Sequence, residues 1–70
     1  MLLSLYESVV LAVDLPEKGL KAGTRGAIID VHEQPTAAYE VEFFDADGNT
    51  IDWFTVTPEQ VQLALGTVKH

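Results

Sequence analysis

Residues 39–56 contain two β-forming runs that flank a short cluster of turn-forming residues. The first run, Tyr39–Phe43, alternates apolar and acidic side chains, as a strand with one buried face does. The second run, Thr50–Val56, is rich in aromatic and β-branched residues. Between them, Asp47-Gly48-Asn49 has the composition of a tight turn. The segment therefore predicts a β-hairpin, and a hairpin of this length constrains a 70-residue chain to a mainly β fold.

Three further apolar runs complete the predicted sheet. Thr57 followed by Pro58 indicates a helix start, and only a single turn fits before Val61. The run from Val61 either forms a closing strand or continues that helix, and the alternation of Val61, Leu63 and Leu65 favours the strand. The five predicted strands are Ser8–Val13, Arg25–Glu33, Ala37–Asp45, Thr50–Thr57 and Val61–Leu65.

The size and composition of the chain indicate one small domain over residues 1–70. Five short strands with glycine-rich turns predict an all-β fold, a small barrel with a short 3-10 turn near the C-terminus. The chain has no cysteine, which is compatible with a reducing cytoplasm. Its first residues lack the basic region of a signal peptide, and no apolar run is long enough to cross a bilayer. We therefore expect a soluble, cytoplasmic protein with no membrane partner.

The charge of the chain is strongly acidic, with eleven acidic and four basic residues and a net charge of −7. Such a surface repels phosphate backbones, which argues against direct nucleic-acid binding. It attracts a protein partner with a basic surface, although acidity also serves simply to keep a small protein soluble. Three of the four bases, Lys18, Lys21 and Arg25, fall in one loop region, so the molecule is expected to carry a charge dipole.

The acidic residues of the hairpin are the first candidates for a binding site. If Val41 and Phe43 point to the core, Glu40 and Glu42 must point away from it, because strand side chains alternate. Asp52 lies on the partner strand, and we expect it to share their face. Like charges paired across a hairpin repel, and a basic partner would relieve that repulsion. An ordinary solvated face is the alternative interpretation.

The aromatic residues of the hairpin are the second group of candidates. Trp53 and Phe54 are adjacent, so one of them faces away from the core, and Phe44 beside Phe43 raises the same question. Exposed aromatic side chains often dominate protein interfaces, although a β-bulge or a bent sheet would bury them instead. The predicted partner-binding residues are Glu40, Glu42, Phe44, Asp52, Trp53 and Phe54.

The acidic turn of the hairpin resembles only part of a calcium-binding loop. Asp45, Asp47 and Asn49 have alternating spacing, but Gly48 occupies the fourth position instead of the sixth, and the twelfth position holds no glutamate. The same residue types are usual in hairpin turns, so a plain turn is the favoured interpretation.

The remaining residues show no catalytic or cofactor-binding pattern. His32 and His70 are isolated and have no cysteine to complete a metal site, and His32 is expected to be exposed to solvent. The glycines at 19, 23 and 26 lack the Lys-Ser/Thr ending of a phosphate-binding loop. We therefore predict no catalytic residue, no metal and no cofactor.

Several motifs occur in an order that resembles a known family. They are Leu15-Pro16-Glu17, Gly23-Thr24-Arg25-Gly26, Tyr39-Glu40-Val41-Glu42-Phe43 and Asp45-Ala46-Asp47-Gly48. Over residues 8–65 the chain resembles a bacterial family of small proteins catalogued as a domain of unknown function. More distantly it looks like SH3-like barrels, among them accessory subunits of photosystem I and of ferredoxin–thioredoxin reductase. Members of the family often sit beside a toxin-like protein, and the resemblance implies an antitoxin role.

These observations together predict a five-stranded SH3-like barrel that is not an enzyme. The leading hypothesis is a protein-binding module, an antitoxin or immunity partner that docks its acidic hairpin face on the basic surface of a cognate toxin. The alternative is an accessory barrel subunit of a larger enzyme complex, or a barrel that self-associates into a homodimer through its exposed aromatic residues.

Overall fold

The computed structural model describes residues 3–64 of the chain. It contains five strands and two 3-10 turns, and no α-helix occurs within this range. In chain order these are β1 (Ser8–Leu11), a first 3-10 turn (Pro16–Lys18), β2 (Arg25–His32), β3 (Ala38–Phe44), β4 (Thr50–Val56), a second 3-10 turn (Pro58–Gln60) and β5 (Val61–Leu63).

The strands form one antiparallel sheet in the order β4-β3-β2-β1-β5. β1 lies between β2 and β5, so the chain returns at its C-terminal end to the strand with which the sheet began. Within residues 3–64, β4 and β5 are the two edges of this sheet. The predicted all-β, SH3-like architecture with a 3-10 turn before the last strand is confirmed.

The end of the described chain resolves the choice between strand and helix after Thr57. The Thr57 side chain caps the second 3-10 turn, and the Gln60 side chain accepts a hydrogen bond from the Thr57 backbone N–H, which is a capping box. The turn ends at once, and Val61–Leu63 pairs with β1. The predicted closing strand is therefore confirmed, and the part of it that falls on Leu65 lies outside the described residues.

The core lies on one face of the sheet, and the central strand β3 supplies much of it. Tyr39, Val41 and Phe43 are at most 1% exposed, whereas the residues between them are half-buried. This confirms the predicted alternation of β3. The other buried apolar residues come from the remaining strands and from the loop after β1: Val9, Leu11, Leu15, Leu20, Ile28, Val56 and Val61.

Two segments outside the sheet cover this core. Leu15 and Leu20 are buried and form a short antiparallel bridge, which pins the first 3-10 turn over the inner face. Before β1, the backbone N–H of Leu3 donates a hydrogen bond to the buried Tyr39 hydroxyl at 2.9 Å. These contacts bury the inner face, so the opposite face of β2, β3 and β4 is the one that meets solvent. None of the described segments is a helix of the length and apolarity that a membrane span needs.

Two β-bulges decide which side chains share a face. In β2, Ile28 pairs with Val41 and Asp30 pairs with Glu40, which leaves Ile29 as the extra residue. In β4, Thr50 pairs with Phe44 but Asp52 pairs with Phe43, so Ile51 is the extra residue there. A bulge shifts all later residues of a strand by one position, and this moves their side chains to the other face.

Candidate functional site

The candidate site is the solvent-facing side of β2, β3 and β4, which we call the outer face. Directly opposite residues of antiparallel strands place their side chains on the same side of the sheet. Glu42 lies opposite Trp53 and Glu40 lies opposite Thr55 in β4. On the β2 side, Glu40 lies opposite Asp30. The outer face is therefore built from Asp30, His32, Glu40, Glu42, Phe44 and Trp53.

Trp53 is the most exposed large apolar side chain of the hairpin, with 66% of its surface accessible. Its neighbour Glu42 is half-buried and is held in place by Thr50, whose hydroxyl donates a hydrogen bond to Glu42 Oε2 at 2.5 Å. A flat ring thus stands beside an oriented carboxylate. The structure confirms that one of the two adjacent aromatics faces away from the core, and it identifies that residue as Trp53.

Asp52 and Phe54 do not lie on the outer face, so the prediction that Asp52 shares a face with Glu40 and Glu42 is wrong. Asp52 lies opposite Phe43, a core residue, and Phe54 lies opposite Val41. The physical reason is the bulge at Ile51. In a ladder without the bulge, Asp52 would lie opposite Glu42 and therefore on the outer face.

Phe54 is instead a partly buried residue that packs against the core. Its ring centroid lies 5.1 Å from that of Phe43, with the planes tilted by 32°. The ammonium nitrogen of Lys18, from the first 3-10 turn, lies 4.6 Å from the Phe54 ring centroid, which is within the range of a cation–π interaction. Phe54 therefore already has both a hydrophobic partner and a cation from its own chain.

At the far end of the outer face, His32 lies between two carboxylates. Its Nε2 atom is 3.4 Å from Glu40 Oε1 and 3.9 Å from Asp30 Oδ2. One ligand atom from each of the three residues fits within a 4.8 Å cluster, so these side chains could together contact a divalent cation. The imidazole is 43% exposed and the Asp30 carboxylate 60% exposed, which confirms the predicted solvent exposure of His32.

The acidic hairpin turn uses its carboxylate to bind its own backbone. Asp45 Oδ1 accepts hydrogen bonds from the N–H groups of Asp47 and Asn49, both at 2.9 Å. Gly48 adopts a left-handed conformation with φ of 86°, as a turn of this kind requires. The predicted hairpin turn is therefore confirmed, and Asp45 stabilises it through its own backbone contacts.

Phe44 lies at the near end of the outer face, beside a groove that the sequence did not reveal. Two adjoining depressions of about 400 and 480 Å³ share Arg25, Phe44, Asp45 and Ala46 as lining residues. Arg25 is directly opposite Phe44 in the β2–β3 ladder, and this register places their side chains on the same side of the sheet. The groove was missed because Arg25 and Phe44 are 19 positions apart, and only strand register makes them neighbours.

The charges of the described residues are segregated rather than paired. Across residues 3–64, the ion pairs that fall within 4 Å involve His32 and no lysine or arginine. Lys18, Lys21 and Arg25 belong to the loop after β1 and to the first residue of β2, whereas Glu40 and Glu42 project from the middle of β3. The carboxylates of the outer face are thus not neutralised by a lysine or arginine of the described chain.

Comparison with known proteins places this geometry in a family. No curated protein and no solved structure matches the chain. A family model described as a domain of unknown function (DUF4926) matches residues 5–63, which includes all five strands. That match confirms the expected resemblance to a domain of unknown function, and the chain belongs to the DUF4926 family of domains of unknown function.

Proposed function

We propose that this chain is a non-enzymatic, cytoplasmic protein-binding module that docks its outer face on the basic surface of a partner protein. In its most specific form the proposal makes the partner a toxin and this chain its antitoxin or immunity protein. The carrying observation is the position of Trp53, which is 66% exposed and directly opposite Glu42. A large exposed aromatic ring beside a carboxylate that a partner can remove from water is typical of an interface hot spot.

The charge distribution supports a basic partner. The chain carries a net charge of −7, and Glu40 and Glu42 have no lysine or arginine within 4 Å in residues 3–64. Uncompensated charge of one sign steers a partner of the opposite sign and raises the association rate, and added salt weakens this effect. Association should therefore slow as ionic strength rises.

The surroundings of His32 support a non-enzymatic role. Among the described residues, the His32 ring hydrogen-bonds to the Glu40 carboxylate and lies 3.9 Å from that of Asp30, so the partners shown for it are carboxylates and not a hydroxyl nucleophile. A general base needs a reacting group within hydrogen-bond reach.

The test begins by installing a photo-crosslinking residue at Thr55, next to Trp53, in the native host. The captured partner is then purified, and its affinity is measured for three proteins: the wild type, the double variant Glu40→Lys/Glu42→Lys and the control double variant Glu17→Lys/Glu59→Lys. Both variants change the net charge by the same amount, but Glu17 and Glu59 lie in the two 3-10 turns.

We expect the outer-face variant to lose about tenfold or more in affinity, because it places like charges against the partner. The control variant should lose only the part of the affinity that comes from long-range charge attraction. Equal losses in the two variants, or no loss in either, would overturn docking through the outer face.

A second candidate function is supported by the position of β4 at the edge of the sheet. An edge strand that exposes Trp53 and Ile51 offers a surface through which two copies, or this chain and a larger enzyme complex, could associate. Sedimentation of the isolated chain tests the self-association form. A tight dimer that Trp53→Ala converts to monomer would favour a self-assembling or accessory barrel over a free docking module.

A further inference from the structure

We propose that Trp53 and Glu42 form a receptor for one arginine side chain, presented by the basic partner. The guanidinium would stack on the indole ring and donate hydrogen bonds to the Glu42 carboxylate. This inference rests on the proposed function, since it names the group by which the partner is recognised.

The geometry of the pair fits one planar cation. Trp53 and Glu42 are directly opposite each other, so their β-carbons lie about 5 Å apart on the same side of the sheet. Thr50 holds Glu42 Oε2, whereas Oε1 makes no hydrogen bond that the described residues show. An oriented carboxylate with an available oxygen beside an exposed ring matches a guanidinium, which stacks through its face and donates through its edge.

The same strand shows this chemistry on its other side. Lys18 lies 4.6 Å from the Phe54 ring centroid, so the inner aromatic of β4 receives a cation from the chain itself. Trp53 has no such cation among residues 3–64, although an indole ring attracts cations more strongly than a phenyl ring. Arg25, the single arginine of the chain, lies opposite Phe44 at the groove and forms no ion pair with Glu42.

Arginine fits this pair better than lysine. A guanidinium is planar and weakly hydrated, so it loses less on leaving water to lie on an aromatic face. A lysine ammonium is compact and strongly hydrated. It has no planar face, so it cannot stack on the indole ring and donate two parallel hydrogen bonds to the carboxylate at the same time. Glu40 and Asp30 add negative charge further along the same face, which attracts a basic segment around the arginine.

The test uses the fluorescence of Trp53, which is the single tryptophan of the chain. Three capped peptides of sequence Gly-Ser-Xaa-Gly-Ser are titrated into the full chain, with arginine, lysine or citrulline at Xaa. Citrulline keeps the shape of arginine but is neutral. We expect saturable quenching with the arginine peptide, about threefold weaker binding with lysine, and no saturation with citrulline.

Two variants separate specific recognition from general charge attraction. Glu42→Gln should lower the affinity for the arginine peptide by about three- to fivefold, because one exposed ion pair is lost. Glu59→Gln removes the same charge from the second 3-10 turn and should leave the affinity unchanged. Equal affinities for arginine and lysine, or equal effects of the two variants, would overturn the arginine receptor.

The crosslinked partner then distinguishes failure of the receptor from failure of the proposed function. If Glu40→Lys/Glu42→Lys weakens the partner complex while the peptides show no preference for arginine, the docking face stands and the arginine receptor is wrong. If the partner complex is indifferent to the outer-face variant, the proposed function itself fails. Arginine-selective quenching together with a weakened partner complex supports both.

Discussion

The two faces of β4 treat adjacent aromatic residues in opposite ways. On the inner face, Phe54 packs on Phe43 and lies under the Lys18 ammonium group, so its hydrophobic and electrostatic partners both come from its own chain. On the outer face, Trp53 is 66% exposed and lies beside Glu42. Phe54 therefore stabilises the fold. Trp53 instead leaves an exposed aromatic surface beside a carboxylate that no lysine or arginine of residues 3–64 pairs with.

A single extra residue in β4 decides which of the two aromatic side chains faces the core and which faces solvent. The pairing of Thr50 with Phe44 begins the ladder, and the bulge at Ile51 moves each later residue of β4 by one position. Both possible registers bury an apolar side chain, so hydrophobicity by itself does not choose between them.

Inserting one alanine between Asp52 and Trp53 should have the largest effect, because it adds a second extra residue and turns the rest of β4 over. Phe54 and Val56 would leave the core, and losing their burial would cost about 3–5 kcal/mol of unfolding free energy. That is comparable with the whole stability of a domain this small. Urea unfolding followed by circular dichroism measures the loss.

Ile51→Ala is the control: it keeps the bulge, and it should cost less than about 1 kcal/mol because the side chain is 47% exposed. Equal stability of the insertion variant and the control would show that the register of β4 does not decide which of its residues stabilise the core.

Truncating each aromatic separately should give opposite patterns of stability and affinity. Phe54→Ala should lower the unfolding free energy by about 2–3 kcal/mol, since it empties a position packed on Phe43. Trp53→Ala should cost about 0.5 kcal/mol or less but should weaken binding of the crosslinked partner more than tenfold. Chemical unfolding and a binding titration of both variants provide the readout. A Trp53 variant as unstable as the Phe54 variant would contradict the assignment of the two faces.

Adding one methyl group at Gly26 in β2 should lower the free energy of unfolding by a smaller but still measurable amount. A β-carbon on Gly26 would lie 2.7 Å from Val41 Cγ1 and 2.8 Å from the Glu42 carbonyl oxygen. Because backbone must move to relieve the second contact, Gly26→Ala should cost about 1–3 kcal/mol in thermal or urea unfolding. The outer-face counterpart is Ala27→Ser, on the adjacent half-buried residue, which should be nearly neutral. If the two variants unfold alike, the close approach of β2 and β3 at Gly26 does not limit stability.

The sequence predicts the fold more completely than it predicts the site. β3 alternates apolar and acidic residues, so the sequence predicts that Tyr39, Val41 and Phe43 share one face and that Glu40 and Glu42 share the other. The turn at Gly48 and the cap at Thr57 are equally local signals, because each depends on residues within a few positions. Local chemistry therefore predicts the strands, although β1 to β4 each end one or two residues before the predicted position.

The parts of the site that depend on register were not accessible in this way. Asp52 is predicted to share the acidic face because it lies on the partner strand of the hairpin, and the bulge at Ile51 that moves it to the inner face has no clear signature in the sequence. The groove between Arg25 and Phe44 and the cluster around His32 also require knowledge of which residues of β2 and β3 lie opposite each other. Register is a property of two strands together, whereas a sequence pattern reports on one strand at a time.

Removing the charge of Lys18 should have a small effect, and it tests whether the cation on Phe54 is a true counterpart of the arginine proposed for Trp53. Lys18→Met keeps an unbranched apolar stem of similar length over the ring but removes the charge, so it should cost about 0.5–1 kcal/mol if the cation–π contact stabilises the fold. Lys21→Met removes the same charge from the same loop at an exposed position, and it should be neutral within about 0.5 kcal/mol. The difference between the two variants, measured by urea unfolding at low and high salt, isolates the contact from the general attraction of a base to an acidic protein. That difference should persist at high salt, since a cation in contact with a ring is screened less than separated surface charges are. A difference that disappears with salt would mean that Lys18 acts only as a distant charge, and it would remove the internal precedent for a cation on Trp53.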